Sequence, residues 1–168
     1  MALNIIDNFL SQEELHALQH GMLSDEFKWT LTNSVAPDTI CDDLYNFQLF
    51  HIFYQSPFIV SDQFDLVNSI LSKIKPQVLL RVKANFVPST HNVVVHGYHK
   101  DVPNDIAKIS KTAIFYLNTN DGFTLFKSGE RVDSVENRLV MFDANEEHSG
   151  TTCTDQKYRV VINLNFLA

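Results

Sequence analysis

Two histidines and an aspartate occur in an order that suits a metal ion. His99 and Asp101 are separated by one residue, and His148 follows further along the chain. Because alternate side chains of an extended segment point the same way, His99 and Asp101 can bind one ion from a single strand end. Two imidazoles and one carboxylate form the facial triad that holds non-haem Fe(II) and leaves positions open for a cosubstrate and dioxygen. We therefore predict an iron site and oxygenase chemistry.

Arg159, which follows His148 in the next apolar segment, indicates the kind of cosubstrate. A guanidinium group held inside a barrel needs a bidentate anionic partner, and a dicarboxylate cosubstrate provides one. Without such an arginine, the same three ligands would equally suit zinc in a hydrolase. In the alternation of 158–166, Arg159 lies opposite the main apolar row, on a face that is either solvent-exposed or turned towards a cavity. The sequence leaves both positions open.

The size and composition of the chain favour one domain. Its 168 residues are 45% hydrophobic, and a chain of this length buries roughly two-thirds of its unfolded surface in one core. No repeat, low-complexity tract or Pro/Gly-rich linker divides it. We expect a single domain over 1–168, with supporting helices within about 1–75 and a core over about 78–168.

Charge and cysteine content limit the partners and the compartment. The 13 basic and 20 acidic residues give a net charge of −7, and the absence of a Lys/Arg cluster argues against nucleic acid as a partner. Cys41 and Cys153 are too few for a disulfide framework, which favours the reducing cytoplasm. No stretch approaches the ~18 apolar residues of a spanning helix, so we expect no membrane association. The oligomeric state is left open.

Helices are predicted in the first half of the chain and strands in the rest. The capping-box pattern of Ser11 and Glu14 predicts a helix over about 12–23, and a second helix is expected from near Asp62 to Pro76. Strands are predicted at 47–54, 78–86, 92–98, 111–118, 123–126, 130–134, 138–143, 149–153 and 158–166. Short strands with helices confined to one part favour an antiparallel sandwich or jelly roll. Loops 34–45 and 102–110 are candidate lids over it.

The motifs together resemble the 2-oxoglutarate- and Fe(II)-dependent dioxygenases, specifically their prolyl 4-hydroxylase-like branch. The family pattern is His-x-Asp, a Tyr-Leu-Asn strand, a Gly-Gly-x-Thr-like turn, a distal histidine and then a basic residue. The matching stretches here are His99-Lys100-Asp101, Tyr116-Leu117-Asn118, Asp121 to Phe126, His148-Ser149-Gly150 and Arg159. Ile5 to Ser11 is also similar to the opening strand and helix cap of this branch, so the likeness covers nearly the whole chain.

The resemblance implies a mainly β fold with flanking helices, a cupin-like double-stranded β-helix that binds Fe(II) and 2-oxoglutarate. It implies that His99, Asp101 and His148 bind the iron, and that Arg159 pairs with the distal carboxylate of 2-oxoglutarate. Three further residues are implied to contact the cosubstrate or to line its pocket: Tyr116, Asn85 and Thr124. An additional requirement for ascorbate is compatible with the resemblance.

One position departs from the family pattern, and several histidines lie outside it. Asp121 replaces the first glycine of the Gly-Gly pair; aspartate tolerates a positive φ better than most residues, so we expect the turn to survive and nearby substrate contacts to differ. In a regular strand His96 and His99 face opposite sides, so His96 is interpreted as a strand or surface residue. The other histidines are interpreted as structural, and Cys153 as a packing residue.

The resemblance implies hydroxylation of an unactivated C–H bond, with prolyl 4-hydroxylase-type action on a peptide or protein as the first choice. A small molecule such as a free amino acid is the enzymatic alternative, and nucleic-acid demethylation ranks third because of the acidic net charge. One rival is a noncatalytic jelly-roll binding module that binds Fe(II) and 2-oxoglutarate without forming succinate. The other is a zinc or manganese hydrolase or isomerase, which leaves Arg159 unexplained.

Overall fold

The structure is a computed structural model that describes residues 3–35 and 43–168. Its α-helices within these residues are α1 Gln12–Met22, α2 Asn68–Ile74 and α3 Asn104–Ala107. Its strands are β1 Asn4–Ile6, β2 Thr30–Thr32, β3 Gln48–Gln55, β4 Phe58–Ile59, β5 Val78–Pro88, β6 Lys111–Tyr116, β7 Phe123–Phe126, β8 Arg131–Asp133, β9 Arg138–Asp143, β10 His148–Gly150 and β11 Tyr158–Leu167. Short 3-10 helices at Asp43–Tyr45 and Phe64–Val67 complete the elements.

The strands form a large and a small antiparallel sheet. The large sheet has the order β1-β9-β6-β11-β5-β3-β2, with β4 paired to β3, and the small sheet has the order β10-β7-β8. From β6 onwards the chain crosses repeatedly between the sheets, since β6, β9 and β11 belong to the large sheet and β7, β8 and β10 to the small one. This arrangement is the jelly roll with flanking helices that the strand spacing predicted.

The longest strand, β11, separates two cores. One face carries Val160, Ile162, Leu164 and Phe166, which pack in the larger hydrophobic cluster together with α1 and α2. The opposite face carries Arg159, Val161 and Asn163, which line a cavity between the sheets. A smaller apolar cluster also lies between the sheets and consists of Ile114, Tyr116, Phe126, Val132, Val140, Phe142 and Val161. The face of Arg159 is therefore turned towards a cavity rather than solvent.

Helix α1 begins where its capping box predicted. The Ser11 hydroxyl accepts a hydrogen bond from the Glu14 backbone N–H at 3.2 Å, and the Ser11 N–H donates to the Glu14 carboxylate at 2.8 Å. The pair satisfies two N–H groups that have no partner within the helix. Leu15, Leu18 and Met22 follow at helical spacing and are fully buried against the large sheet.

The second predicted helix is shorter than expected. The predicted start near Asp62 is wrong, since a 3-10 helix occupies Phe64–Val67 and the α-helix begins only at Asn68. No side chain caps the start of either element, so nothing fixes an α-helical first turn. The end agrees with the prediction: Lys75 adopts a left-handed conformation with φ of 53° just before Pro76.

The predicted strand 92–98 is absent, and an irregular pairing replaces it. Isolated bridges join Val95 to Thr151 and His99 to His148. The first chain advances four residues between these bridges while the second advances three, so one residue around Gly97 is inserted as a bulge. Gly97 and its neighbours thereby break the regular ladder. The predicted strand 149–153 is shortened to His148–Gly150 for the same reason.

The two candidate lid loops differ in what the structure shows. The loop 102–110 contains a single helical turn, α3, whose last residue, Ala107, is buried. Most of the loop 34–45, namely 36–42, lies outside the described residues. Their action as lids stays a prediction. Among the described residues, no helix is long and apolar enough to cross a lipid bilayer.

Candidate metal centre and cosubstrate cavity

The three predicted metal ligands converge at one end of the cavity. The His148 Nε2 atom lies 3.6 Å from one carboxylate oxygen of Asp101, and the His99 Nε2 atom lies 3.9 Å from the other. One ligand atom from each residue lies within 4.8 Å of the other two. These separations exceed hydrogen-bond distance and match three ligand atoms disposed around a shared central ion.

Backbone carbonyls fix the orientation of both imidazoles. The Nδ1 atom of His99 lies 3.2 Å from the Gly97 carbonyl oxygen, and that of His148 lies 3.3 Å from the Glu146 carbonyl oxygen. Because a carbonyl only accepts hydrogen bonds, each contact places the ring proton on Nδ1. The lone pair of each Nε2 atom is then directed at the site, which is the tautomer that a metal ligand requires.

The two histidines are also joined through their backbones. The His99 N–H donates to the His148 carbonyl at 2.9 Å, and the His148 N–H donates to the His99 carbonyl at 3.0 Å. Their rings lie 4.9 Å apart, centroid to centroid. Phe126 and Phe142 pack against the His148 ring at 6.1 Å and 5.1 Å and cover it on the side of the smaller core. The ligand pair is thus held before any ion binds.

Asp101 is a buried carboxylate kept in its charged form. Burial raises its pKa, but His148, Arg81 and His99 together outweigh burial and lower that pKa to about 2. The Arg81 Nη2 atom donates to one carboxylate oxygen at 2.9 Å, whereas the other oxygen, Oδ2, is buried without a hydrogen-bond partner. Burial lowers the pKa of His148, although Asp101 opposes this effect, so its imidazole is neutral and able to ligate.

These residues fit a divalent transition metal. The Asp101 Oδ2 atom has no hydrogen-bond partner and lies 3.6 Å from the His148 Nε2 atom, and a buried acceptor of this kind is costly unless something binds it. Two nitrogens and one oxygen are the donor set of the facial triad, which prefers Fe(II) and leaves further positions open. A second group of potential ligands is Asp121, Cys153 and Asp155, but the Asp121 carboxylate already accepts hydrogen bonds from the Thr154 backbone and hydroxyl.

Arg159 reaches the same cavity from β11. Its side chain is buried, and its Nε and Nη2 atoms donate to the Ser134 hydroxyl at 2.7 Å and the Thr124 hydroxyl at 3.1 Å. Among the described residues, no carboxylate lies within 4.0 Å of its guanidinium group. Burial lowers the pKa of Arg159, although not enough to remove a charge of this kind. An unpaired buried cation facing a cavity suits an anionic ligand.

The three weaker predicted residues lie around Arg159 in different ways. Thr124 lines the cavity and joins Arg159 to Tyr116, whose hydroxyl donates to the Thr124 oxygen at 2.8 Å. Tyr116 is fully buried beside the guanidinium group, 5.6 Å from ring centroid to Cζ, and it is not part of the cavity lining. Asn85 lines the cavity from β5, and its Oδ1 atom is buried without a partner. Their contacts with a cosubstrate stay predictions.

Gly122 gives Arg159 room to reach the cavity. A Cβ atom at this position would lie 2.7 Å from the Thr152 carbonyl oxygen and 2.8 Å from the Arg159 Cδ atom. Both distances are shorter than any side chain tolerates, so only glycine fits here. The neighbouring Asp121 does not have a positive φ. Its carboxylate instead accepts a hydrogen bond from the Thr154 backbone N–H. Asp121 therefore supports this turn through its side-chain hydrogen bonds and not through a positive-φ backbone.

The interpretation of His96 as a strand or surface residue is wrong. His96 is 3% exposed and lines the same cavity as His99. The bulge near Gly97 adds one residue between them, so the alternation that would have placed the two histidines on opposite faces is interrupted. Burial, with Arg159 and His99 nearby, lowers the pKa of His96 to about 4. Its ring is not among the three grouped ligands.

Four residues of the site were not anticipated from the sequence: Arg81, Lys83, Ser134 and Asn163. Arg81 and Lys83 line the cavity from β5 and Asn163 lines it from β11, while Ser134 supports Arg159 from behind. Arg81 and Lys83 alternate with Leu80 and Val82 in the predicted strand 78–86. This period-2 pattern marks a polar face. That signal was present in the sequence. Nothing local marks Ser134.

Comparisons with known proteins identify the fold. No protein-family model and no curated protein matches the chain. Solved structures do: a prolyl hydroxylase from Trichoplax adhaerens in complex with a hypoxia inducible factor peptide fragment is 14% identical, with a TM-score of 0.63 over 98% of this chain and 83% of that one. A Pseudomonas putida prolyl-4-hydroxylase is 15% identical, with a TM-score of 0.57 over 99% and 92%.

A third solved structure adds ligands to the comparison. The epimerase SnoN in complex with Fe3+, alpha ketoglutarate and nogalamycin RO is 12% identical, with a TM-score of 0.66 over 98% of this chain and 78% of that chain. The chain therefore has the jelly-roll fold of the 2-oxoglutarate/Fe(II) oxygenases, as the sequence resemblance implied.

Proposed function

We propose that this protein is an Fe(II)- and 2-oxoglutarate-dependent dioxygenase that hydroxylates an unactivated C–H bond. The observation that carries the proposal is one cavity of about 220 Å³ that is lined both by His99, Asp101 and His148 and by the unpaired Arg159. The fold shared with prolyl hydroxylases and with an iron- and ketoglutarate-bound epimerase supports it.

The protein's own contribution is to hold the reactants and to keep water away. His99, Asp101 and His148 would bind the iron, which supplies the activation of dioxygen when bound. Arg81 keeps the Asp101 carboxylate ionised and oriented through its 2.9 Å hydrogen bond. The two Nδ1 contacts to backbone carbonyls keep both imidazoles in the ligating tautomer. These contacts exist before binding, so little reorganisation is needed.

Arg159 would bind the distal carboxylate of 2-oxoglutarate. Its Nε atom donates to Ser134 and its Nη2 atom donates to Thr124, so the remaining N–H groups of the guanidinium group are directed into the cavity. A planar guanidinium group matches a carboxylate in two parallel hydrogen bonds. Tyr116 stabilises this arrangement through Thr124. A zinc or manganese hydrolase leaves such a buried cation unexplained, and that rival is disfavoured.

For the substrate, we propose a prolyl residue in a peptide or protein, hydroxylated as in prolyl 4-hydroxylases. Support comes from the two prolyl hydroxylase neighbours, one of which holds a peptide. A small molecule is the second candidate, favoured by the polar side chains that line the cavity beyond the ligands, Arg81, Lys83 and Asn163. We also propose a cytoplasmic location, since Cys153 is a free buried thiol.

Anaerobic titration tests the proposal directly. The iron-loaded protein is titrated with 2-oxoglutarate, and the visible charge-transfer band of a chelated Fe(II) complex is recorded. We expect a saturable band that His148→Ala abolishes, because this substitution removes one ligand of the triad. Absence of the band in the folded wild-type protein would sink the oxygenase proposal. A band without any succinate formation over a peptide and small-molecule panel would instead favour the binding module.

A further inference from the structure

Strand β5 directs a second cation into the cavity. Its alternate residues Arg81, Lys83 and Asn85 line the cavity wall. Arg81 is paired with Asp101. Lys83, in contrast, has no ion pair and donates no hydrogen bond among the described residues. Its Nζ atom lies over the Phe50 ring, 5.0 Å from the centroid.

The surroundings of Lys83 favour a ligand that carries negative charge. Partial burial and the neighbouring Arg81 lower the pKa of its ammonium group, whereas Asp101 opposes this effect. Asn163 lies directly opposite on β11, and its Oδ1 atom is buried without a partner. The Lys83 ammonium group thus lacks an acceptor and the buried Asn163 Oδ1 atom lacks a donor, and a polar ligand could supply both.

Lys83 and Arg159 enter the cavity at different points along the large sheet. In the β5 to β11 pairing, Arg159 lies opposite Val87, and Lys83 is four residues away along β5. Four strand residues span about 13 Å. Lys83 lies instead two residues from Arg81, at the end of the cavity that holds Asp101. The two side chains therefore start from different parts of the cavity wall.

The charge balance of the loaded cavity also calls for an anion. With iron and 2-oxoglutarate bound as in the proposed function, on which this inference rests, the dianion offsets the charge of Fe(II) and Asp101 offsets Arg81. Arg159 and Lys83 then leave the cavity positively charged. Lys100 at the rim adds to this excess, since its ammonium group is hydrogen-bonded to the neutral Asn104 and Asn145 side chains.

We propose that the substrate carries an anionic group of its own, a carboxylate or a phosphate, which the Lys83 ammonium group binds, while a hydrogen-bond donor of the same substrate meets the Asn163 Oδ1 atom. Lys83 is then a specificity-determining residue that positions the substrate at the metal end of the cavity. An acidic small molecule, or a peptide that ends or branches in a carboxylate, meets this requirement. A neutral substrate does not.

Binding of simple anions to the loaded protein tests this assignment. The anaerobic Fe(II) protein, saturated with 2-oxoglutarate so that Arg159 is occupied, is titrated with butyrate, with its neutral isostere butyramide and with inorganic phosphate by ligand-observed NMR. We expect saturable binding of butyrate or phosphate, with the bound anion identifying the group, and no binding of butyramide. Lys83→Met should weaken anion binding by about 10- to 100-fold, and Lys83→Arg should restore most of it.

Lys100→Met is the matched control, because it removes the same charge from the rim of the same cavity. It should leave anion binding within threefold of wild type. Equal anion binding by Lys83→Met and wild type, failure of both anions to bind wild type, or an equal loss in Lys100→Met overturns the inference. Loss of the charge-transfer band in Lys83→Met also overturns it, by assigning Lys83 to 2-oxoglutarate. Absence of that band in wild type instead refutes the proposed function.

Discussion

Replacing Arg159 by methionine separates binding from stability. The guanidinium group is buried, donates to Ser134 and Thr124, and has no carboxylate partner among the described residues. Methionine keeps much of the length of the side chain and removes its charge. We expect Arg159→Met to lose 2-oxoglutarate affinity severely while the metal-free protein remains about as stable as wild type.

Two contributions of similar size set the change in stability. A buried ion without a partner costs several kcal/mol, a cost that methionine removes. Each hydrogen bond from a charged donor contributes about 1.5 to 3 kcal/mol, and two such bonds to Arg159 are lost. These terms largely cancel, so the free energy of unfolding should stay within roughly 2 kcal/mol of wild type. No such compensation applies to 2-oxoglutarate binding. Its binding free energy should become less favourable by about 2 to 5 kcal/mol.

The assay combines urea unfolding of the metal-free protein with the anaerobic 2-oxoglutarate titration. The expected loss of affinity corresponds to roughly 30- to several-thousand-fold in the dissociation constant. Arg138→Met is the matched control, because Arg138 pairs with Asp7 at 2.6 Å near the surface, away from the cavity lining. That control should leave 2-oxoglutarate binding unchanged and lower stability by about 1 kcal/mol or less.

One combination of results would refute the reasoning. If Arg159→Met lost more than about 4 kcal/mol of stability while 2-oxoglutarate binding stayed within threefold of wild type, Arg159 would be a structural residue. Its burial would then have to be balanced by contacts within the protein alone. The assignment of the cavity to a dicarboxylate would lose its main support.

Two further outcomes follow from the same site. Gly122→Ala should weaken 2-oxoglutarate binding about tenfold in the same titration, because the new Cβ would displace Arg159; unchanged affinity would contradict this. The pKa of His96 falls to about 4 on folding, below its unfolded value of about 6.5, so its contribution to stability is fully present above pH 6.5 and is lost as pH falls towards 4. Urea unfolding of the metal-free protein should show a loss of up to about 3 kcal/mol over this window, and His96→Asn should flatten the profile; an equally steep profile in that variant would disprove the assignment.

The sequence predicted what depends on local periodicity. The two-face alternation of β11 placed Arg159 apart from the apolar row, and the capping box at Ser11 placed the start of α1 correctly. The predicted metal ligands His99 and Asp101 were identified from residue type and spacing within the wider motif pattern, and the structure brings them together with His148. In each case the signal lies within a few residues.

The sequence failed where pairing between distant segments decides the outcome. The bulge at Gly97 depends on how 95–99 pairs with 148–151, and no local pattern records that one residue is inserted there. His96 was misplaced as a result. Likewise, Ser134 lies 25 residues from Arg159 in the chain, and only the turn of the small sheet brings its hydroxyl to the guanidinium group. Such contacts are properties of the tertiary fold.

The reciprocal backbone bonds between His99 and His148 determine which changes of chain length the site can tolerate. The bulge near Gly97 makes the pairing of these segments irregular, and a single deletion there would restore a regular ladder. That shorter chain would pair well but would turn one histidine to the wrong face, since a slip of one residue reverses every side chain. Insertions and deletions between 95 and 99 should therefore be absent from functional variants, whereas the exposed turn at Gly129 has room for them. The irregular segment 95–99 is therefore the part of the chain whose length is most tightly constrained.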